Sequence, residues 1–314
     1  MENIIKHILL FGTGPMAAEY VKVLKKTGIP FTVIGRTKEN CMKFSIENAV
    51  EVADTPIEQL TIQPFTMAIN AVSFENLAKV NSQLINTNIH SILSEKPAGL
   101  NSMEVRNLAT QLSDKKIYFY IAYNRRHFPS VTKLKTILTS EKISSAHFEF
   151  TEWGHVIEKL DKPKASLENW YYGNSTHVID LFIYLAGLPT QLSCYKKGSL
   201  PWHPNGSIFT GAGITNNNVL FNYDANWESA GRWGVDICTD KGKYSLRPLE
   251  KLFFIPKGSV HQQEIEITNE HPELKPGLYE QVSYAIKGYH TMLLSLSDHL
   301  INCETVYDKI LNGN

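Results

Sequence analysis

Short apolar runs alternate with stretches of helical periodicity over the first 122 residues of the chain. The apolar runs lie at residues 8–11, 31–34, 67–72, 90–93 and 117–122, and they predict strands that are buried on both faces. Apolar positions recur with helical spacing from Met16 onward and again over 74–85 and 101–112, which predicts helices, the last one capped by Asn101 or Ser102. This alternation of strands and helices predicts a doubly wound parallel sheet.

Beyond residue 123 the pattern changes to longer strands in which apolar and polar residues alternate. We predict strands at 146–153, 191–196, 219–227, 234–239 and 252–255, and helices at 129–138, 175–185, 279–286 and 291–311. Such strands are typical of an antiparallel sheet with one exposed face. The sequence therefore predicts an α/β protein with two domains. Residues 1–122 form a doubly wound parallel sheet of the Rossmann type, and residues 123–314 form an α/β domain with a large open antiparallel sheet.

The composition bears on two questions, namely which partners the protein binds and in which cellular compartment it lies. Lys plus Arg and Asp plus Glu both number 31, so the formal net charge is zero, which gives no support for a nucleic-acid or membrane partner. The four cysteines are far apart and form no CxxC pair, so we expect no metal site and reduced thiols in a cytoplasmic protein. No apolar run approaches the roughly 20 residues that span a bilayer. The apolar residues 4–11 lead into a glycine turn, so they predict a strand and not a signal peptide.

A glycine-rich turn directly follows the first predicted strand. Its pattern, Gly12-x-Gly14-x-x-Ala17, suits the binding of a dinucleotide, because the first glycine allows a tight turn and the second lets the backbone approach a pyrophosphate. The helix that begins near Pro15 and Met16 offers unpaired N–H groups to the phosphates. We therefore predict that Gly12, Gly14, Pro15 and Met16 bind the cofactor. The alternative is an ordinary strand-to-helix turn that uses glycine for its shape.

The end of the second strand bears on the type of cofactor. An acidic residue at this place would favour NAD through the adenosine ribose, but the chain has Gly35, Arg36, Thr37 and Lys38. Arg36 can stack on adenine and pair with a 2′-phosphate, and Thr37 can donate a hydroxyl hydrogen bond. These residues favour NADP over NAD. The alternative is a solvated loop face.

Three further segments share their order and spacing with a known family. A strand ends in Ser94-Glu95-Lys96-Pro97, the segment 123–126 follows the last parallel strand, and a predicted helix carries His177 and Asp180. Together with the glycine turn, they make the chain resemble the glucose–fructose oxidoreductase/inositol dehydrogenase (Gfo/Idh/MocA) family over essentially its whole length. The resemblance implies NADP or NAD as cofactor, a small sugar-like substrate, and a homodimer or homotetramer formed through the second sheet.

The resemblance also implies roles for individual residues. The family's catalytic lysine corresponds to Lys96, whose ammonium would stabilise the negative charge on the reacting oxygen. His177 corresponds to the general acid/base that exchanges the hydroxyl proton. Asp180, one turn further along the helix, is placed to orient that imidazole. Ala71, Glu95 and Lys96 follow the parallel strands and would complete the cofactor site.

The expected substrate contacts lie near the predicted domain boundary, where the resemblance implies them, and around the helical histidine, where aromatic rings could cover a sugar's C–H face or, as the alternative, pack in the core or an interface. They are Tyr123, Asn124, Arg126, Trp170, Tyr172, Asn174 and His177. One departure is evident, because many family members carry an Asp one turn before the histidine and this chain has Gly173 there, with Asn174 beside it. An Asn side chain cannot exchange a proton, so we expect a Lys96–His177 pair in place of a triad.

These features lead to one main functional hypothesis and two alternatives. The main hypothesis is an NAD(P)-dependent oxidoreductase of carbohydrate metabolism that acts on a secondary alcohol or ketone of a sugar, cyclitol or nucleotide-sugar. Because the Asp before His177 is missing, a cofactor-binding sensor without turnover is the first alternative. The second is a lyase or glycosidase that works by transient oxidation with a retained NAD.

Overall fold

The computed structural model describes residues 4–314 and divides into two compact units. The first unit contains the chain up to Tyr123 together with His271–Leu300, and the second contains Asn124–Glu270 and Ile301–Asn314. The predicted second domain, 123–314, differs from this division at Tyr123 and at residues 271–300, which lie in the first unit.

The first unit is built from alternating strands and helices. In chain order they are β1 (His7–Phe11), α1 (Pro15–Thr27), β2 (Phe31–Ile34), α2 (Lys38–Asn48), β3 (Val52–Ala53), β4 (Thr66–Asn70), α3 (Leu77–Ile85), β5 (Ser91–Glu95), α4 (Ser102–Leu112) and β6 (Tyr118–Ala122). Helix α2 was not predicted, because it buries only Cys41 and Phe44 and so has little amphipathic pattern.

The second unit contains most of the remaining elements. They are α5 (Pro129–Ile137), β7 (Ile143–Glu149), α6 (Gly154–Ile157), α7 (Lys164–Glu168), α8 (Thr176–Ala186), β8 (Pro189–Lys197), β9 (Ile208–Thr215), β10 (Leu220–Asn226), β11 (Gly234–Thr239), β12 (Gly242–Leu246), β13 (Leu252–Pro256) and β14 (Gln263–Ile265). Strand β9 was not predicted, because Gly211 and Gly213 interrupt its alternation. The rings of Tyr223 and Phe221 occupy the space where side chains at those glycines would lie.

The last part of the chain contributes to both units. It contains α9 (Leu278–Lys287), β15 (Leu294–Ser295), α10 (Leu296–Asn302) and α11 (Asp308–Asn312), with a short π-helix over Cys303–Tyr307. The single helix predicted over 291–311 is therefore interrupted, because Leu294 and Ser295 form the edge strand β15 and pair with β6.

The two sheets confirm the predicted fold class. The first has the order β15-β6-β5-β4-β1-β2-β3, and all of its pairs are parallel except that of β15 with β6. The second has the order β14-β13-β12-β11-β7-β10-β9-β8 and is antiparallel except for the pair of β10 with β7. Between residues 4 and 314 there is no helix with both the length and the apolar character that a membrane crossing requires.

Each unit has its own apolar core. In the first unit, α1 buries Tyr20 and Leu24, and α9 buries Leu278 and Val282 in the same cluster. These spacings put the apolar residues of each helix on one face, so α9 belongs to the parallel-sheet unit. In the second unit, α8 packs on its sheet through aromatic rings, with Phe182 and Phe148 centred 4.6 Å apart.

We expect Leu278→Ala to lower the stability of the first unit selectively, because Leu278 is fully buried in that core. The cavity left by such a truncation costs about 2–5 kcal/mol of unfolding free energy. Urea denaturation should show this loss, and hydrogen exchange should show reduced protection in α1 with β8–β10 unchanged. Leu160→Ala, at an exposed leucine of the second unit, is the matched control, and equal stability of the two variants would contradict the assignment of α9.

Candidate functional site

The glycine turn after β1 approaches the neighbouring strand β4 very closely. Gly12 has a φ of +119°, and a Cβ at this position would lie 2.5 Å from the carbonyl oxygen of Ala71. Gly14 has extended backbone and precedes Pro15, the first residue of α1, and a Cβ at Gly14 would have no atom within 4 Å. The space above Gly14 therefore admits a ligand directly against the backbone. The N–H groups of the first turn of α1, beginning at Met16, have no partners within the helix and suit phosphate oxygens.

The end of β2 lies beside this turn and carries the residues expected to select the cofactor. A Cβ at Gly35 would lie 2.9 Å from the Thr13 methyl group, so the two loops are packed together. Arg36 and Thr37 are exposed, and the Thr37 hydroxyl accepts a hydrogen bond from the backbone N–H of Asn40 as the cap of α2. The hydroxyl proton of Thr37 is not used by that bond, so it remains able to donate to a ligand.

The register of the parallel strands places the remaining predicted cofactor residues, Ala71, Glu95 and Lys96, at the same edge of the sheet. Phe11 pairs with Asn70, and Asn70 pairs with Ser94, so the residues that follow these strands lie along one edge of the sheet. Glu95 is held there by the Tyr20 hydroxyl, which donates to Oε1 at 2.8 Å. Burial raises the pKa of Glu95, and the adjacent Lys96 ammonium opposes that rise.

The turn that carries Lys96 is fixed from two sides by buried polar side chains. Asn81 of α3 donates from Nδ2 to the Ser94 hydroxyl at 2.8 Å and to the Ala98 carbonyl at 3.1 Å. His299 of α10 bonds through Nε2 to the Pro97 carbonyl at 2.9 Å, and since a carbonyl only accepts, this nitrogen carries the proton. The Lys96–Pro97 peptide bond is cis. Lys96 therefore lies on a turn that is held before it at the Ser94 side chain and after it at the Pro97 and Ala98 carbonyl groups.

A second lysine, which the sequence analysis missed, reaches the same edge of the sheet. Lys275 Nζ lies 2.9 Å from the sulfur of Met16 at the start of α1, and its charge lowers the pKa of Glu95. It comes from the segment that returns to the first unit just before α9. No local motif marks this residue, since only the long-range packing of α9 brings it to the glycine turn.

In the second unit, His177 lies in the first turn of α8 and is buried. The structure pairs Asp180 with Arg126, whose Nε and Nη2 donate to its two carboxylate oxygens at 2.7 Å each. Burial raises the pKa of Asp180, and the guanidinium opposes that rise. The carboxylate of Asp180 is therefore hydrogen-bonded to Arg126, and not to His177, which we expected it to orient. Arg126, which we predicted as a substrate contact, is paired with Asp180 inside the second unit.

A buried carboxyl group, Glu152, lies against the turn that precedes His177. Its Oε1 accepts from Asn174 Nδ2 at 3.0 Å and from the Ser175 hydroxyl at 2.9 Å. Burial raises the pKa of Glu152 to about 7, although these hydrogen bonds and the charge of Arg232 oppose the rise. Asn174 stands one helical turn before His177, so a titratable carboxyl group lies close to the position where the family resemblance led us to expect an Asp.

Sequence reasoning missed Glu152 because it lies in the irregular segment after β7. The predicted strand over 146–153 would have made it one more residue of a regular sheet, whereas β7 ends at Glu149. The only available signal was an acidic residue beside aromatic ones, with Phe150 two positions before it and Trp153 directly after it.

A tryptophan lies beside His177, and two arginines contact the ring of that tryptophan. The ring of Trp233 is centred 6.0 Å from the His177 imidazole. The guanidinium carbon of Arg125 lies 4.6 Å from the centre of the Trp233 ring, and that of Arg232 lies 4.9 Å from it. Arg232 Nη1 is also 3.9 Å from Glu152 Oε2. None of these three residues was predicted as a site residue.

The other predicted substrate contacts divide into partly exposed and buried side chains. Asn174 and Trp170 are partly exposed. Tyr123 is buried in the first unit with its ring centred 5.6 Å from that of His299, and Asn124 is buried in the second unit. Tyr172 is buried and its hydroxyl donates to Asp308, which argues against a substrate contact. Within residues 4–314, no three His, Cys, Asp or Glu side chains are grouped so as to hold a metal ion.

The two glycines of the turn should respond differently to alanine. Gly12→Ala is expected to destabilise the first unit because its Cβ would overlap the Ala71 carbonyl. Gly14→Ala is expected to leave the unfolding free energy unchanged and to weaken NAD and NADP binding by about tenfold or more, because the methyl group would occupy the open space. Urea denaturation and calorimetric titration of both variants check this, and equal cofactor affinity of Gly14→Ala and wild type would contradict it.

Glu152 should make the stability of the chain depend on pH. Its folded-state pKa of about 7 is above its ordinary 4.5, so the folded chain binds this proton more tightly than the unfolded chain does. The resulting stabilisation is complete below pH 4.5 and is lost as the pH rises through about 7. Glu152→Gln should abolish this fall, which amounts to up to about 3 kcal/mol. Urea denaturation across this range tests it, with Glu250→Gln at an exposed residue as control; parallel profiles for wild type and Glu152→Gln would contradict it.

No protein-family model and no curated protein sequence matches the chain. Solved structures do share its fold at low sequence identity. Levoglucosan dehydrogenase in complex with NADH and levoglucosan has a TM-score of 0.78 at 15% identity, over 98% of this chain and 96% of that chain. A protein assigned as an NADPH-dependent oxidoreductase from Desulfitobacterium hafniense has a TM-score of 0.79 at 15% identity, over 99% and 95%.

A third similar structure holds a nucleotide-sugar. The WlbA dehydrogenase from Bordetella pertussis, in complex with NADH and UDP-GlcNAcA, has a TM-score of 0.71 at 10% identity, over 98% of this chain and 95% of that chain. All three likenesses extend over nearly the full length of both chains. The chain therefore has the same fold as these three oxidoreductases.

Proposed function

We propose that this protein is an NAD(P)-dependent oxidoreductase that transfers a hydride between nicotinamide and a secondary alcohol or ketone of a sugar, cyclitol or nucleotide-sugar. One observation carries the proposal. The glycine turn leaves open space at Gly14 at the same sheet edge where β5 presents the anchored Lys96 turn. The shared fold with dehydrogenases whose structures hold NADH together with levoglucosan or UDP-GlcNAcA supports it.

The first unit would hold the cofactor. Gly12 and Gly14 let the pyrophosphate approach the backbone, and the N–H groups at the start of α1 bind its oxygens. Lys275 adds a positive charge beside that helix terminus. Arg36 is exposed at the end of β2, where its guanidinium can pair with a 2′-phosphate, so we propose a preference for NADP over NAD.

The reactive groups of the protein act on the substrate oxygen. Bound nicotinamide supplies the site that accepts or returns the hydride. In the oxidation direction, the hydroxyl proton of the substrate passes to a ring nitrogen of His177, and the Lys96 ammonium stabilises the negative charge on the oxygen as the carbonyl forms. Loss of one proton and one hydride converts the alcohol to the ketone. The reaction thus requires Lys96 and His177 to act on one substrate oxygen.

Glu152 gives the second unit a further proton-binding group near His177. Its carboxyl accepts from Asn174 and Ser175, and a pKa of about 7 lets it hold or release a proton near neutrality. This arrangement supports turnover, and so argues against a sensor, because the carboxyl function missing at Gly173 is supplied from another element.

We also propose a homo-oligomeric assembly and a cytoplasmic location. The second sheet ends in exposed strands and carries exposed apolar side chains such as Tyr195 and Leu220, which supports a homodimer or homotetramer formed through this sheet. All four cysteines are free thiols, which supports the proposed cytoplasmic location.

The proposal is tested by absorbance of the reduced nicotinamide with a panel of sugars and nucleotide-sugars, supplied with NADP and with NAD in parallel. We expect a higher kcat/KM with NADP. Lys96→Ala and His177→Ala should each lower kcat by about 10²–10⁴-fold while cofactor affinity falls far less, because both act on the substrate oxygen.

Lys79→Ala and His155→Ala, at exposed residues, are the matched controls and should retain full activity. Tight cofactor binding with no turnover of any substrate would favour the sensor instead. Full activity of both Lys96→Ala and His177→Ala would refute the assigned roles.

A further inference from the structure

The side-chain amide of Asn174 is oriented by a buried carboxylate. Its Nδ2 lies 3.0 Å from Oε1 and 3.1 Å from Oε2 of Glu152. Glu152 is only 1% exposed, so water has little access to replace these bonds. A reversed amide would set Asn174 Oδ1 against two carboxylate oxygens, which only accept, and both contacts would be lost. The carboxylate therefore permits one of the two orientations of this amide.

Glu152 is itself held in place, so it can impose that orientation. The Ser175 hydroxyl donates to Oε1 at 2.9 Å, and Ser175 is fully buried. Arg232 Nη1 lies 3.9 Å from Oε2, and its charge lowers the pKa of Glu152 against the effect of burial. Rotation of the Asn174 amide would leave a buried carboxylate short of a donor, at a cost of about 1–3 kcal/mol.

The same orientation leaves the carbonyl oxygen of the Asn174 amide available. This Oδ1 accepts no hydrogen bond from residues 4–314, and it is not among their buried polar atoms that lack a partner. Asn174 is partly exposed, so Oδ1 is open to solvent or to a ligand. Because an amide carbonyl accepts and never donates, a group that binds it must be a hydrogen-bond donor.

Asn174 lies close to the proposed acid/base. It precedes His177 by three residues, which is about one helical turn. Side-chain contacts join the same two positions. Arg232 is near both Glu152 Oε2 and the Trp233 ring, at 3.9 and 4.9 Å, and that ring is centred 6.0 Å from the His177 imidazole. A group bound at Asn174 would therefore be a neighbour of the oxygen that exchanges its proton with His177.

In a sugar or cyclitol, the neighbour of the reacting hydroxyl is commonly another hydroxyl. Building on the proposed function, we infer that Asn174 selects the substrate by accepting a hydrogen bond from a hydroxyl group on a carbon adjacent to the reacting carbon. Glu152 is the positioning residue that holds the Asn174 amide for this contact. The substrate is then a vicinal diol in its reduced form and an α-hydroxy ketone in its oxidised form. An analogue without that hydroxyl leaves the acceptor unpaired and is rejected.

The inference is tested by calorimetric titration of the full chain loaded with NADPH, so that an alcohol binds without being oxidised. The probes are D-glucose and its analogues in which one ring hydroxyl is replaced by hydrogen or by fluorine, because fluorine keeps nearly the size of the hydroxyl but cannot donate. Titration at about pH 8.5 keeps Glu152, whose pKa is about 7, ionised. At one ring position we expect both the deoxy and the fluoro analogue to bind about tenfold or more weakly than D-glucose.

A variant assigns this preference to Asn174. Asn174→Ala should bind D-glucose as weakly as wild type binds the two analogues of that position, and its affinity for those analogues should be unchanged. A general loss of structure would instead weaken the binding of all of these sugars. Asn205→Ala, at an exposed asparagine of the second unit, is the matched control and should keep the wild-type preference.

Two variants test the positioning role of Glu152. Glu152→Ala removes the acceptor from Asn174 Nδ2, so the amide can rotate and the preference for D-glucose over the two analogues should largely disappear. Glu152→Gln keeps one acceptor oxygen and should retain the preference. Thermal melts confirm that each variant is folded. Retention of the preference in Glu152→Ala would overturn this role.

The outcomes separate the inference from the proposed function, because binding is measured without turnover. The inference is overturned if the analogues bind as tightly as D-glucose, if no sugar of the set binds, or if Asn174→Ala keeps the wild-type preference. Turnover of D-glucose without such a preference would overturn the inference and leave the oxidoreductase assignment intact. An Asn174-dependent preference with no turnover of any substrate would support the contact and refute the oxidoreductase assignment.

Discussion

The contact between the backbones at Gly12 and Ala71 is the constraint on which the first unit's candidate site depends. The turn after β1 passes so near the carbonyl of Ala71 that no side chain fits at position 12. This approach makes α1 begin at once, so its first N–H groups meet the sheet edge where β5 ends in Glu95. The unpaired N–H groups at the start of α1 and the Lys96 turn are therefore brought to one edge by main-chain geometry, with little dependence on surface side chains.

In both units, buried polar side chains and not apolar packing alone orient the candidate reactive groups. Asn81 and His299 bond the carbonyl groups of the two residues that follow Lys96, and Glu152 bonds the turn that precedes His177. Such networks define one geometry, because leaving any of their members unsatisfied in a buried place costs about 1–3 kcal/mol. Pre-organisation of this kind is what charge stabilisation in a transition state requires.

The sequence predicted those parts of the site that lie within local motifs. The glycine turn and the Lys96 turn each follow an apolar strand, so strand order alone placed them at one sheet edge. Glu152, Arg232 and Lys275 were not predictable in this way. They lie in irregular segments, and their positions depend on sheet register or on the return of the chain, neither of which leaves a local periodic pattern. We expected Asp180 to orient His177, because helical spacing shows that the two residues are close to each other. The spacing does not show that Arg126 binds the carboxylate instead.

The return of residues 271–300 to the first unit has a consequence for biosynthesis and engineering. The core around α1 includes α9, so the nascent chain cannot complete its first unit until nearly the whole protein has left the ribosome. A fragment that stops at Tyr123 would expose the apolar face that Leu278 and Val282 cover. Most of the second unit, residues 124–270, is therefore an insertion between two parts of the first unit. An exchange of this segment between related chains must keep both of its connections to the first unit.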